Sequence, residues 1–148
     1  MADNNSLEKP YNIDYQRTHD IDWFFKYNDS YYHVASNGGA VPDFILESEN
    51  QELQREIRNS TNHRLAIVVN EQYRHLNLES FEFYARWGFI SIDRLDYRSF
   101  ESQNYVVIAK PCKTGGNKNH LNKLTIHELD TNEFLLVVND MDGQKLIP

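Results

Sequence analysis

The stretch Asp20 to Gly39, DIDWFFKYNDSYYHVASNGG, constrains this chain more than any other, because its alternation favours one pairing. A two-residue loop at Asn28 and Asp29 closes a β-hairpin and sets Tyr27 opposite Ser30, Phe25 opposite Tyr32 and Trp23 opposite Val34. Trp23, Phe25, Tyr32 and Val34, with Ile21 continuing the period, then share one face, an aromatic and β-branched patch that belongs against a core. The other face lines up Asp22, Phe24 and Lys26 against Ala35, His33 and Tyr31, a mixed surface suited to a ligand or a second layer. Asn-Asp turns less readily than Asn-Gly, since only Gly takes positive φ without cost, so a longer loop including Ser30 is the competing register. A slip of one residue would exchange the two faces.

At 148 residues the chain is long enough for one core without staples, and a single domain over residues 13–148 is expected behind a polar, poorly ordered segment 1–12. Cys112 is the one cysteine, so no internal disulfide forms. No charged-then-apolar leader and no run of roughly 20 apolar residues occurs, which points to a cytoplasmic protein without a membrane partner. The net charge of −7 is uneven: residues 1–60 hold 5 basic and 11 acidic side chains, whereas residues 102–127 hold four lysines and no acid. An acidic body disfavours nucleic acid, although the basic loop 111–123 would tolerate a local contact.

Along the chain, Tyr11, Ile13 and Tyr15 alternate, which fits a short strand or extended lead-in to the hairpin. Gly38 and Gly39 of SNGG permit a sharp change of direction, and Asp43 is placed to cap a short turn FILE. Ser48 and Gln51 have capping-box spacing before a surface helix ENQELQREIRN, with Leu53 and Ile57 as its narrow buried stripe. RLAIVVN, residues 64–70, predicts a central strand buried on both faces. A second helix spans Leu78 to Trp87, with Leu78, Phe81 and Ala85 at helical spacing and Gly88 as its cap. FISIDRL then returns to a two-residue period, with Ile90 and Ile92 on one side and Ser91 and Asp93 on the other, and Tyr105 to Ala109 supplies its partner strand. CKTGGNKNHLN, residues 112–122, lacks any hydrophobic period and reads as an exposed loop. Leu124 to Leu129 and Glu133 to Val138 form a final strand pair, followed by a turn at Met141-Asp-Gly.

Three places carry residue types capable of chemistry. Asp22 and His33 lie diagonally across the hairpin, within about 7 Å by strand geometry, where a carboxylate orients an imidazole as in general base catalysis. Adding His19 and Asp20 would approach a metal site, but the spacing matches no zinc motif such as HExxH, and strand-edge Asp and His commonly just satisfy backbone groups. Cys112, with His120 and His127 downstream and Lys110 and Lys113 beside it, has the parts of an activated thiol without a family-type sequence around it. The glycines of KTGGNKNH and SNGG offer amides to a phosphate, yet neither forms a P-loop, a GxGxxG or a GxSxG, so both read as turns. No cofactor and no metal is implied.

Residues 21–45, IDWFFKYNDSYYHVASNGGAVPDFI, together with residues 80–94, SFEFYARWGFISIDR, resemble a group of small uncharacterised proteins from gut Bacteroidetes, in which an aromatic hairpin ends in an Ala-Ser-x-Gly-Gly turn. The likeness spans residues 20 to 95, and it implies no activity, cofactor or catalytic residue. The expectation is therefore an α+β domain, a mainly antiparallel sheet of five to seven strands covered by two helices. Functionally it reads as a small binding or regulatory protein that meets another protein through an acidic, aromatic surface. The alternative is a hydrolase or metal-dependent enzyme using Asp22 and His33.

Overall fold

A computed structural model describes residues 8–60, 65–95, 99–113 and 119–147. The hairpin forms in the expected register: β1 (Asp22–Tyr27) runs antiparallel to β2 (Ser30–Ala35), with Trp23 opposite Val34 and Phe25 opposite Tyr32. Asn28 and Asp29 both take positive φ, 48° and 61°, so the loop keeps two residues without glycine; Asn and Asp tolerate this conformation best among non-glycine residues. Trp23, Phe25 and Val34 are wholly buried, and the Phe25 and Tyr32 rings stack 4.7 Å apart.

Among the described residues the other elements are α1 (Ile13–Thr18), α2 (Glu47–Asn59), β3 (Ile67–Val69), a 3-10 turn (Glu71–Tyr73), α3 (Glu79–Trp87), β4 (Ile90–Arg94), β5 (Asn104–Pro111), α4 (Asn119–Asn122), β6 (Val137–Asn139) and β7 (Lys145–Ile147). The fold is α+β, with the strands in order β1-β2-β4-β5-β6-β7 and β3 also paired to β5. The sheet is mixed rather than mainly antiparallel, because β2 runs parallel to β4 and β5 parallel to β6. The reason lies in the connections: α2, β3 and α3 all intervene between β2 and β4, and such a crossover returns the chain in the same direction where a hairpin cannot.

The C-terminal third reaches both ends of this sheet. Residues 127–129 run along the outer edge of β1, where Lys26 N donates to the His127 carbonyl and Leu129 N donates to that of Lys26. β6 and β7 extend the other end beyond β5. Leu129, Leu136, Val138 and Ile147 thereby enter one cluster with Trp23, Phe25 and Ile92. The mixed face of the hairpin is closed by the second layer: Phe24 and Tyr31 pack with Ile57 of α2, Tyr84 and Trp87 of α3, Phe89, and Leu121 of α4.

Several local expectations are corrected. Residues 13–18 are helical, not extended, because Asn12 caps them by accepting from Asp14 N and Tyr15 N. Ahead of this helix, Pro10 bridges Leu46 and Tyr11 is buried, while residues 1–7 lie outside the described residues. Helix α2 starts at Glu47 with Leu46 as N-cap, so Ser48 lies inside the helix and the capping box does not form. The buried Ile57 of its expected stripe is confirmed, and Leu53 packs partly buried beside it.

The apolar run that predicted a central strand yields only the short β3, with Val68 41% exposed. Among the described residues it pairs with β5, and Arg64 lies outside them. Residues 124–138 form no hairpin, because 127–129 pair with β1 and 137–139 with β5. The turn at 141–143 does join β6 to β7. At the end of the run 112–122, α4 buries Leu121, worth roughly 2 kcal/mol by area. Gly88 ends α3 at φ 120°, and a Cβ there would stand 2.9 Å from Leu121 Cδ1, so this cap and α4 are fitted to each other.

Candidate functional site

The two catalytic candidates do meet. His33 Nε2 lies 2.8 Å from Asp22 Oδ1 across the hairpin. Pairing of β2 with β4 sets His33 beside Ser91, whose Oγ is 3.1 Å from His33 Nδ1. A carboxylate only accepts, so Nε2 carries the proton toward Asp22; in the neutral ring Nδ1 then accepts from the Ser91 hydroxyl. Tyr84 of α3 stacks on the imidazole with centroids 4.0 Å apart, and Arg58 of α2 brings Nη2 to 3.8 Å from Asp22 Oδ2. Asn50 and Gln54, two turns and one turn before Arg58, donate to the Asp22 backbone carbonyl.

Serine, histidine and aspartate in a row have the composition of a nucleophilic relay. Access decides against that use. His33 and Ser91 are 0% exposed, and the Asp22 side chain 19%. A relay needs its hydroxyl open to a carbonyl and its imidazole beside the leaving group. Here both lie beneath the α2 and α3 layer, so the row acts as a satisfied polar network that fixes two strands and two helices together.

The neighbouring candidates are engaged elsewhere. His19 ends α1, stacked on Tyr15 at 3.7 Å, with Nδ1 3.0 Å from the Tyr15 carbonyl oxygen. Among the described residues no three His, Cys, Asp or Glu side chains are placed to hold a metal ion. His120 hydrogen-bonds the Trp87 carbonyl and His127 stacks on Phe44, contacts that hold these imidazoles against α3 and the 42–44 turn, while Cys112 is exposed. Residues 114–118, the centre of KTGGNKNH, lie outside the described residues.

SNGG wraps a buried arginine rather than a phosphate. Arg94, 2% exposed, donates from Nε to the Ser36 carbonyl, from Nη2 to that of Asn37 and from Nη1 to that of Ser99. A Cβ on Gly39 would stand 2.2 Å from Arg94 Nε, which is why the second glycine is required. Asp20 accepts from Asn37 N on the same turn. The Asp93 carboxyl is pushed up to about 6, chiefly by burial and further by the Asp20 charge, against hydrogen bonds from Arg94 N and Asn37.

A concavity open to solvent lies on the opposite side of the hairpin. Ala40, Val41, Pro42, Asp43 and Phe44 face Glu133 and Phe134 across a cleft of about 580 Å³, within the range of ligand sites. Phe134 meets Trp23 edge to face at 5.9 Å and Phe44 at 6.4 Å, so its ring is held by the core. His127 stacks on Phe44 at 4.0 Å, with Nε2 3.9 Å from Glu133 Oε2. The lining holds two carboxylates and no basic side chain, and the adjoining Leu135 is 74% exposed.

Known proteins supply no guide to this cleft. No family model, curated protein or solved structure matches the chain. Sequence reasoning placed Ser91 on the correct side of its strand but missed that a parallel partner would set it beside His33. It missed the cleft altogether, since segments some ninety residues apart form it. The available signal was a phenylalanine directly after an acid in each segment, Asp43-Phe44 and Glu133-Phe134.

Proposed function

We propose that this chain is a non-catalytic binding or regulatory protein that meets another protein through the cleft between residues 40–44 and 133–134. The observation that carries this reading is the opposition of two sites. Among the described residues the Asp22–His33–Ser91 row is buried beneath the helices, while a concavity open to solvent is lined by aromatic rings and carboxylates without a nucleophile and base in contact. Phe44 and Phe134 supply rigid contact area at little entropic cost, as aromatic residues do at protein interfaces. The hydrolase reading through Asp22 and His33 would require α2 or α3 to lift from the sheet.

Site-specific photocrosslinking tests the proposal. With p-benzoylphenylalanine in place of Leu135, exposed and next in sequence to the cleft-lining Phe134, a discrete cross-linked adduct with one partner protein is expected in cells that express the chain. The same residue in place of Leu76, which is 51% exposed beyond the 3-10 turn, is expected to give none. Equal, diffuse labelling from both positions, or no adduct from position 135, would refute it.

A further inference from the structure

We infer that the cleft takes a basic side chain, an arginine of the partner polypeptide with an apolar residue beside it; this rests on the binding reading above. Charge complementarity gives the first reason. Asp43 and Glu133 are both exposed carboxylates, they come from opposite walls, and the lining offers no lysine or arginine to neutralise them. Among the described residues Glu133 is approached by the exposed His127, at 3.9 Å, too long for a hydrogen bond. Two such carboxylates flanking one concavity attract a cation and repel phosphate or carboxylate ligands.

The walls give the second reason. Phe134 is fixed edge-on between Trp23 and Phe44, and Phe44 is backed by the His127 ring, so two aromatic surfaces are held in place before any ligand arrives. A guanidinium stacks on aromatic faces and retains hydrogen bonds to carboxylates at its edge, a combination that a compact ammonium matches less well. Metal binding fits poorly, because the cleft supplies only two carboxylates and a volume of about 580 Å³. Leu135, which follows Phe134 in sequence, is 74% exposed, so an apolar side chain stands in water next to the cleft-lining segment; an apolar residue beside the arginine would cover it, which favours a peptide over a free small amine.

The test is a titration of the full chain, followed by amide chemical shifts, with three probes: acetyl-Gly-Leu-Arg-Gly-amide, the same peptide with citrulline for arginine, and agmatine. The arginine peptide is expected to shift amides of residues 40–44 and 133–135. Citrulline, neutral and nearly isosteric, should bind about tenfold more weakly, and agmatine about threefold more weakly. Asp43→Asn with Glu133→Gln should weaken the arginine peptide about tenfold while leaving the rest of the spectrum in place, both side chains being on the surface. Equal affinity for arginine and citrulline peptides, or for the double variant, would overturn the inference while leaving an adduct from position 135 intact. Agmatine binding as tightly as the peptide would overturn the choice of a polypeptide. No shift at the cleft with any probe would overturn the site as a cation pocket.

Discussion

Replacing His33 with alanine removes a fully buried ring from between Asp22, Ser91 and Tyr84. Truncating a buried aromatic ring to alanine costs about 3 kcal/mol through lost contacts and the cavity left behind. The Ser91 hydroxyl, wholly buried, loses its partner, which adds about 1 kcal/mol. Asp22 adds little, because its carboxylate is partly exposed and keeps Arg58 nearby. The sum, about 4 kcal/mol, is a large share of the roughly 5–15 kcal/mol available to a domain of this kind. With a urea slope of about 2 kcal/mol/M, the unfolding midpoint should fall by about 2 M. Intrinsic fluorescence reports it, since Trp23 and Trp87 lie in the two packed clusters. Ser91→Ala should cost only about 1–2 kcal/mol, and the double variant less than the sum, because each single change strands the other's partner. A loss below about 1 kcal/mol in His33→Ala would refute the view that this row holds the layers together.

Gly39→Ala should destabilise by more than about 2 kcal/mol, seen as a lower thermal midpoint, because its Cβ would overlap the Arg94 guanidinium while a fully buried side chain has nowhere to retreat. Asn12→Ala should cost about 1 kcal/mol in urea titration, since Asp14 N and Tyr15 N lose their acceptor. Asp93→Asn should change the pH profile of stability. The folded carboxyl sits at about 6, above its unfolded value, so the folded state favours the protonated form and stability declines as pH rises from about 4 to about 6. The decline is at most about 3 kcal/mol; the asparagine variant should lack it and exceed the parent chain in midpoint at pH 8, whereas identical slopes in both would refute the assignment.

The hairpin was legible because its information is local: alternation, a two-residue loop and turn-compatible residues at Asn28 and Asp29 determine the register without help from the rest of the chain. The α3 helix with its Gly88 cap was legible for the same reason. The parallel partnership of β2 and β4 was not, because it depends on where a crossover of more than fifty residues delivers the chain. That one pairing sets Ser91, known from the sequence only to lie opposite Ile90 and Ile92, beside His33 as the third member of a buried row. The run at 65–69 misled because β-branched density reports strand tendency rather than position in a sheet, and β3 ends as a three-residue strand with Val68 in water. Asn12 shows the opposite failure: one capping side chain outweighed an apolar alternation of only three residues.

Diethyl pyrocarbonate modification of the native chain, followed by peptide mass spectrometry, tests most directly whether the Asp22–His33–Ser91 row is closed. The exposed His19, His75 and His127 should react while His33 remains unmodified, and His33 should become reactive only as urea unfolds the domain. Modification of His33 in the folded chain at a rate comparable with that of His127 would contradict a sealed row and reopen hydrolytic chemistry at Ser91.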